Sequence, residues 1–455
     1  MEKIFDAFSE KAKKYLAGIN KRKVFPAESD LKNMKNLDVP LQNSPIDPLK
    51  VLEELDRFGS PATVASTGNR YFGFVIGGAL PAPLAANLLA GVWDQNAGME
   101  VSSPISSYIE NICRKWLVDI LKLPPETEIG FVSGATMANF TCLAAARHAV
   151  LKNMGWNVEE NGLFNAPSVK IFVGEEVHVS ILKALSMLGL GRNQVVRVPV
   201  DNQGRMIAEA IPQYSEPTII CTQAGNVNTG SFDPIDTICD TAHSFGAWVH
   251  VDGAFGLWAN ASSRYASLTK GIDKADSWGA DAHKWLNVPY DSGIACVRNK
   301  DHLSAAMSTE AAYLISGTNR EPFFYVPEIS RRARGLEIWA ALRSLGKDGL
   351  AKLVESNGAC ASLFAERLAA AGFKILNDVV LNQVLVSFGE PETTRRIIQK
   401  IQEDGTCWCG GTEWQGHTAM RISVSCWRTT PADIEESARA VIKFAQDEQK
   451  RTGSK

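Results

Sequence analysis

The residues with chemistry to offer are concentrated in a few short stretches. One is Asp276-Ser277-Trp278-Gly279-Ala280-Asp281-Ala282-His283-Lys284-Trp285, a strand pattern running into a His-Lys pair. An isolated lysine after a strand is ordinarily a surface residue. An amine must be neutral to act as a nucleophile, however, and a desolvated setting beside His283 and Trp285 favours that form, so Lys284 reads as a Schiff-base lysine. A second stretch, His250-Val251-Asp252-Gly253-Ala254, ends an apolar run on a carboxylate. Alone, Asp252 would be a cap or an ion-pair partner. Taken with Lys284, it fits the fixed anion that keeps the ring nitrogen of pyridoxal 5'-phosphate protonated, so that the ring draws electrons from a substrate Cα. Ala254, on the same strand face as Asp252, is small enough to let such a ring lie flat.

Two further stretches complete the set. Phe131-Val132-Ser133-Gly134-Ala135-Thr136-Met137-Ala138-Asn139 places small residues at the start of a helix, where unpaired N–H groups and the helix dipole suit a phosphate and Ser133 or Thr136 can add a hydroxyl. No Walker lysine or G-x-G-x-x-G accompanies it. His178, in Glu175-Glu176-Val177-His178-Val179-Ser180, follows an apolar run. There it is either a cap or, beside a planar cofactor, a group that stacks on the ring and carries protons. Cys407, Cys409, His417 and Cys426 lack zinc-ligand spacing, so no metal is expected. Gly189-Leu190-Gly191 lies between a helix and a strand, the wrong order for a dinucleotide loop, and reads as a helix C-cap.

These stretches need elements to position them. Between about residues 61 and 310, apolar β-branched runs (169–173, 194–198, 218–222, 248–251) alternate with helical patterns (181–188, 235–244). Runs without polar alternation suit strands buried on both faces, which predicts a mainly parallel sheet covered by helices, with ligands at the strand ends. Beyond residue 340, helices at 347–371, 392–404 and 430–449 enclose alternating strands at 381–388 and 419–424, a small α+β domain. Residues 1–60 read as a helical arm with a Pro/Asn/Asp-rich connector. The expected division is therefore an arm (1–60), a large α/β domain (61–340) and a small C-terminal domain (341–455).

The 455 residues exceed the usual single-core size, and the apolar (45%) and charged (21%) fractions are those of a globular chain. A net charge of -3 without a basic run argues against a nucleic-acid partner and for a small-molecule one. Nine cysteines and no secretory leader pattern suggest reduced thiols and a cytoplasmic location. The longest uncharged stretch, 71–93, contains two prolines and four glycines, so no membrane span is expected.

The order of the phosphate loop, His178, Asp252-x-Ala254 and His283-Lys284-Trp285 resembles the group II pyridoxal-phosphate-dependent amino-acid decarboxylases, the family of aromatic amino-acid and glutamate decarboxylases. Thr222-Gln223-Ala224-Gly225-Asn226, Ser103-Pro104, Arg331-Arg332 and Arg421 extend the likeness over most of the chain. The resemblance implies a fold-type-I (aspartate aminotransferase-like) homodimer with active sites at the interface, acting on an amino acid. In it, Lys284 would carry the cofactor, Asp252 would pair with the ring nitrogen and His178 would stack on the ring. Ala135, Thr136 and His283 would hold the phosphate, Gln223 would lie beside the cofactor, and Arg421 would steady the substrate carboxylate.

Two departures stand out. Asp281-Ala282 replaces the Asn-Pro common before the His-Lys pair, and Pro322 falls where the mobile loop (316–331) should carry its proton-donating tyrosine. Tyr325, three residues later, is either that donor or part of an apolar plug with Phe323 and Phe324. The stretch Tyr71-Phe72-Gly73-Phe74-Val75-Ile76-Gly77-Gly78, similar to the family's substrate-pocket segment, lacks a cation and favours an aromatic or apolar amino acid. The alternatives are a carbon–carbon lyase of the sphingosine-phosphate-lyase type and a catalytically silent dimeric binding protein.

Overall fold

The computed structural model describes residues 1–309 and 320–453. The chain divides into two compact units: a larger one of residues 77–359 and 377–383, and a smaller one of residues 1–76, 360–376 and 384–453.

The larger unit is built on seven strands: β1 Glu128–Val132, β2 Lys170–Gly174, β3 Val196–Val198, β4 Thr218–Gln223, β5 Trp248–Asp252, β6 Ser277–Asp281 and β7 Gly293–Val297. Their order is β1-β7-β6-β5-β4-β2-β3. β3, β2, β4, β5 and β6 run parallel, and β7 lies antiparallel between β6 and β1. Every residue of β1, β4, β5, β6 and β7 is buried, as expected for strands covered on both faces. The parallel strands therefore share one C-terminal edge, where Gln223, Asp252 and Asp281 are the last residues of β4, β5 and β6.

Helix Ala135–Lys152 lies against this sheet with its alanines, Cys142, Leu143 and Leu151 buried. The approach is close enough to require glycine opposite it. A Cβ on Gly279 would stand 2.5 Å from Asn139 Oδ1, and one on Gly293 would stand 2.4 Å from the Gly134 Cα.

In the smaller unit, β8 Lys374–Ile375, β9 Gln383–Ser387, β10 Gly410–Trp414 and β11 His417–Ser423 form a sheet in the order β10-β11-β9-β8, with helices Pro391–Asp404 and Pro431–Gly453. β10, with its two glycines and no clean alternation, is absent from the sequence expectation. Residues 1–60 group here rather than standing apart. Ile19 and Val24 are buried, Val24 N–H donates to Gly405 O (2.9 Å), and Ala65 N–H donates to Val24 O (2.9 Å). The expected boundary at residue 340 falls inside the helical stretch Gly335–Ala370, ahead of the kink at Gly346 (φ 62°) that divides it into two helices. Residues 81–93 of the uncharged stretch form helix Pro81–Trp93, and among the described residues no helix is long and apolar enough to cross a membrane.

Candidate active site

β1 ends at Val132, and Ser133-Gly134 turn the chain into helix Ala135–Lys152. Beside this turn lies a cavity of about 450 Å³ within the larger unit, lined by Ser133, Ala135, Thr136, His178, Ala254, Asp281, His283, Lys284 and Asp291, among others. Sequence-distant stretches are thus brought to one place, each by the end of a parallel strand or the loop after it.

His178 is fixed as the N-cap of helix Val179–Met187. Its Nδ1 accepts from the Ser180 N–H (3.2 Å) and lies 2.8 Å from Ser180 Oγ. With Nδ1 accepting, the neutral imidazole carries its proton on Nε2. His283 is held similarly. Its Nδ1 accepts from the Ser292 N–H (3.0 Å), its ring stacks on Tyr290 at 4.2 Å, and burial lowers its pKa from the ordinary histidine value.

Asp252 is buried at the end of β5, and its partners are neutral. Oδ1 accepts from the Ala254 N–H (3.2 Å), and Oδ2 accepts from Asn139 Nδ2 (3.2 Å) and Ser180 Oγ (3.4 Å). A buried chain of donors sets the Asn139 amide. Trp248 Nε1–H donates to Ser277 Oγ (2.9 Å), Ser277 Oγ meets His250 Nδ1 (2.9 Å), and His250 Nε2 meets Asn139 Oδ1 (3.0 Å). Burial pushes the His250 pKa down to about 4, so the ring is neutral and can donate from one nitrogen while accepting at the other. The Asn139 carbonyl is thereby turned to His250 and its NH2 to Asp252. Gln223 is the register partner of Asp252 across β4 and β5.

Asp281 lines the cavity directly. Its Oδ1 accepts from the Ala135 N–H (2.5 Å) and its Oδ2 pairs with Lys284 Nζ (3.0 Å). These residues fit pyridoxal 5'-phosphate: a lysine amine, a helix start with two hydroxyls, a neutral histidine ring on the wall, and, linked to lining residues Ser180 and Ala254, a carboxylate that forms no ion pair among the described residues.

Residues 30–389 match the pyridoxal-dependent decarboxylase conserved domain. The chain belongs to this family. The pyridoxal-dependent decarboxylases are carboxy-lyases, and the cofactor and fold-type-I expectations both hold. An aromatic-L-amino-acid decarboxylase of Bacillus atrophaeus is 28% identical over 384 residues, covering 79% of this chain and 76% of that one. A human acidic amino acid decarboxylase is 27% identical over 75% of this chain and 67% of its own length. Among solved structures, Oryza sativa TDC with PLP and tryptamine superposes with a TM-score of 0.91 at 18% identity, over 98% of this chain and 97% of that one.

Within this pyridoxal-dependent decarboxylase, four expected site residues are not among the residues lining the cavity: Asp252 and Gln223, which end β5 and β4, and Tyr325 and Arg421. Tyr325, at the end of the short 3-10 turn Pro322–Tyr325, has the Arg320 guanidinium 4.5 Å over its ring and packs on the core cluster containing Leu303 and Val326. Burial raises its pKa. Phe323 and Phe324 pair with each other at 4.4 Å. Residues 316–319 of the expected loop lie outside the described residues. Arg331, at the loop's other end, is buried with its guanidinium on Glu110 (2.6 Å) and the Phe131 carbonyl (2.9 Å), bracing β1 just before the Ser133-Gly134 turn. Arg421 belongs to the smaller unit, in register with Gly410, and burial lowers its pKa.

Asn139, Ser180, His250 and Ser277 carry no signature of function in the sequence. Their types are common, and their significance comes from converging on Asp252.

Proposed function

We propose that the chain removes the α-carboxyl group of an L-amino acid at the Lys284 cavity, releasing carbon dioxide and the amine. The observation that carries this reading is the convergence of Lys284, His178, Thr136 and the Asp252 assembly on one cavity. Pyridoxal 5'-phosphate, once bound, supplies the electron sink for the pair left by the departing carboxyl group. Lys284 is the residue that carries it. Asp252, held by neutral donors, keeps its charge for the ring nitrogen, with Gln223 alongside. Ala135, Thr136 and His283 offer donors to the phosphate, and Ala254 leaves a flat floor. His178 covers one ring face and, once protonated from solvent, is our candidate for returning a proton to the substrate Cα, with Tyr325 as the alternative donor. Arg421 is the candidate partner of the substrate carboxylate.

For substrate we favour an aromatic or apolar amino acid, because Tyr71, Phe72 and Phe74 lie in the family's substrate-pocket segment and that segment contains no cation. The test is carbon dioxide release from the twenty amino acids by the purified protein supplied with the cofactor. Turnover of phenylalanine, tyrosine or tryptophan above that of glutamate and aspartate is expected; the reverse order overturns the substrate class. Aldehyde with ammonia, or a retro-aldol fragment, in place of amine overturns simple decarboxylation. The same reading takes the protein as a cytoplasmic homodimer, which sedimentation checks.

A further inference from the structure

The helix start offered to an anion already has a carboxylate on it. Asp281 is 2% exposed. Its backbone is pinned on both sides: its N–H donates to Ala254 O (2.8 Å) and its carbonyl accepts from Trp258 Nε1 (2.9 Å). Only side-chain rotation can move the carboxylate. It lies beneath the turn into helix Ala135–Lys152, where a Cβ on Gly134 would stand 3.3 Å from Asp281 Oδ1. It takes the Ala135 N–H at 2.5 Å, holds Lys284 Nζ at 3.0 Å and is 3.4 Å from His283 Nε2. The other lining carboxylate, Asp291, pairs with Arg334 (2.9 Å), and Lys284 is the one Lys or Arg among the described lining residues.

We infer that Asp281 is an internal stand-in for the cofactor phosphate, holding the helix start and Lys284 in place in the cofactor-free chain and weakening the hold on the phosphate when the cofactor enters. The inference rests on the cofactor role proposed for Lys284. The physical reason is competition. A buried carboxylate and a phosphate dianion repel each other and seek the same N–H donors, and the amine that neutralises Asp281 is the amine that takes the cofactor. A chain with a neutral group at this position would offer the Ala135 N–H to the phosphate without such repulsion. The same neutral group would lack the ion pair that orders the cofactor-free site.

The test measures dissociation constants of pyridoxal 5'-phosphate and of pyridoxal, which lacks the phosphate, for the wild-type chain and for Asp281→Asn, by absorbance of the lysine-bound cofactor. Melting temperatures of the cofactor-free forms are read alongside. Asp281→Asn should bind pyridoxal 5'-phosphate about tenfold more tightly, leave pyridoxal within about twofold, and melt at a lower temperature without cofactor. Equal gains for both ligands, weaker phosphate-ligand binding, or an unchanged cofactor-free melting temperature would overturn the inference. Should the variant not fold, the wild type decides: a preference for pyridoxal 5'-phosphate over pyridoxal below about three hundredfold supports the stand-in, and one above that overturns it. Absence of any lysine-bound cofactor in the wild type refutes the proposed function instead.

Discussion

Asp252 and Asp281 are buried carboxylates at the ends of neighbouring parallel strands, yet their surroundings assign them opposite duties. Asp252 is bonded to the Asn139 amide, the Ser180 hydroxyl and the Ala254 N–H, all of them neutral donors. Asp281 is bonded to Lys284, and its charge is already matched. Burial alone therefore does not distinguish a carboxylate that attracts a cofactor cation from one that secures the protein's own lysine. The partners decide it: hydrogen bonds from dipoles stabilise an anion without cancelling its field, whereas an ammonium at 3.0 Å largely cancels it.

The comparison can be broken most severely at the lysine. Lys284→Ala should reduce turnover by at least about a thousandfold, and borohydride treatment of the wild type followed by peptide mapping should find the cofactor on Lys284. Labelling of a different lysine would refute the assignment. Asp252→Asn keeps the shape and removes the charge, so a loss of roughly a hundredfold in kcat is expected with the fold retained. Near-normal turnover would make Asp252 structural. Asn139→Ala removes the donor that aims at Asp252 and leaves His250 without its acceptor. About a tenfold loss of activity and roughly 1–3 kcal/mol of stability should follow, measured by kinetics and denaturation.

The neutral assembly behind Asp252 also predicts an acid response. His250 has a folded pKa of about 4, below its reference value of 6.5, so between these values the unfolded chain binds the extra proton. Its contribution to stability is present above pH 6.5 and is lost as pH falls towards 4. His250→Gln should flatten the melting-temperature profile across that window; an unchanged slope would place the acid sensitivity elsewhere. The smallest effect belongs to Tyr325→Phe. The hydroxyl sits on a packed, Arg320-covered ring, so kcat should change by no more than about twofold with amine still the product. A steep fall with aldehyde appearing would restore Tyr325 as the proton donor.

The parallel sheet was legible because strands buried on both faces must be written as unbroken apolar runs, and those at Ile171–Val173 and Ile219–Cys221 are. β10 was not, because Gly410-Gly411-Thr412-Glu413-Trp414 pairs through its backbone to β11 and needs no pattern of its own. The attachment of residues 19–24 to the segment at Gly405 was equally hidden, since it rests on main-chain bonds that any residue types can make.

For the site, Lys284, Asp252, His178 and the Ser133–Thr136 turn stood out because their types and order are rare in combination, and local chemistry limits what such residues do. Their convergence and the neutrality of the Asp252 surroundings could be decided only by the fold. Trp248, Ser277, His250 and Asn139 are ordinary residues up to 138 positions apart in the chain, and what makes them a single device is the alignment of β5, β6 and one helix across a few ångströms. The same holds for Asp281. A carboxylate in the sequence has no fixed role until packing determines which donors reach it, and here they are the Ala135 N–H and the lysine three residues away, held close by the turn that follows β6.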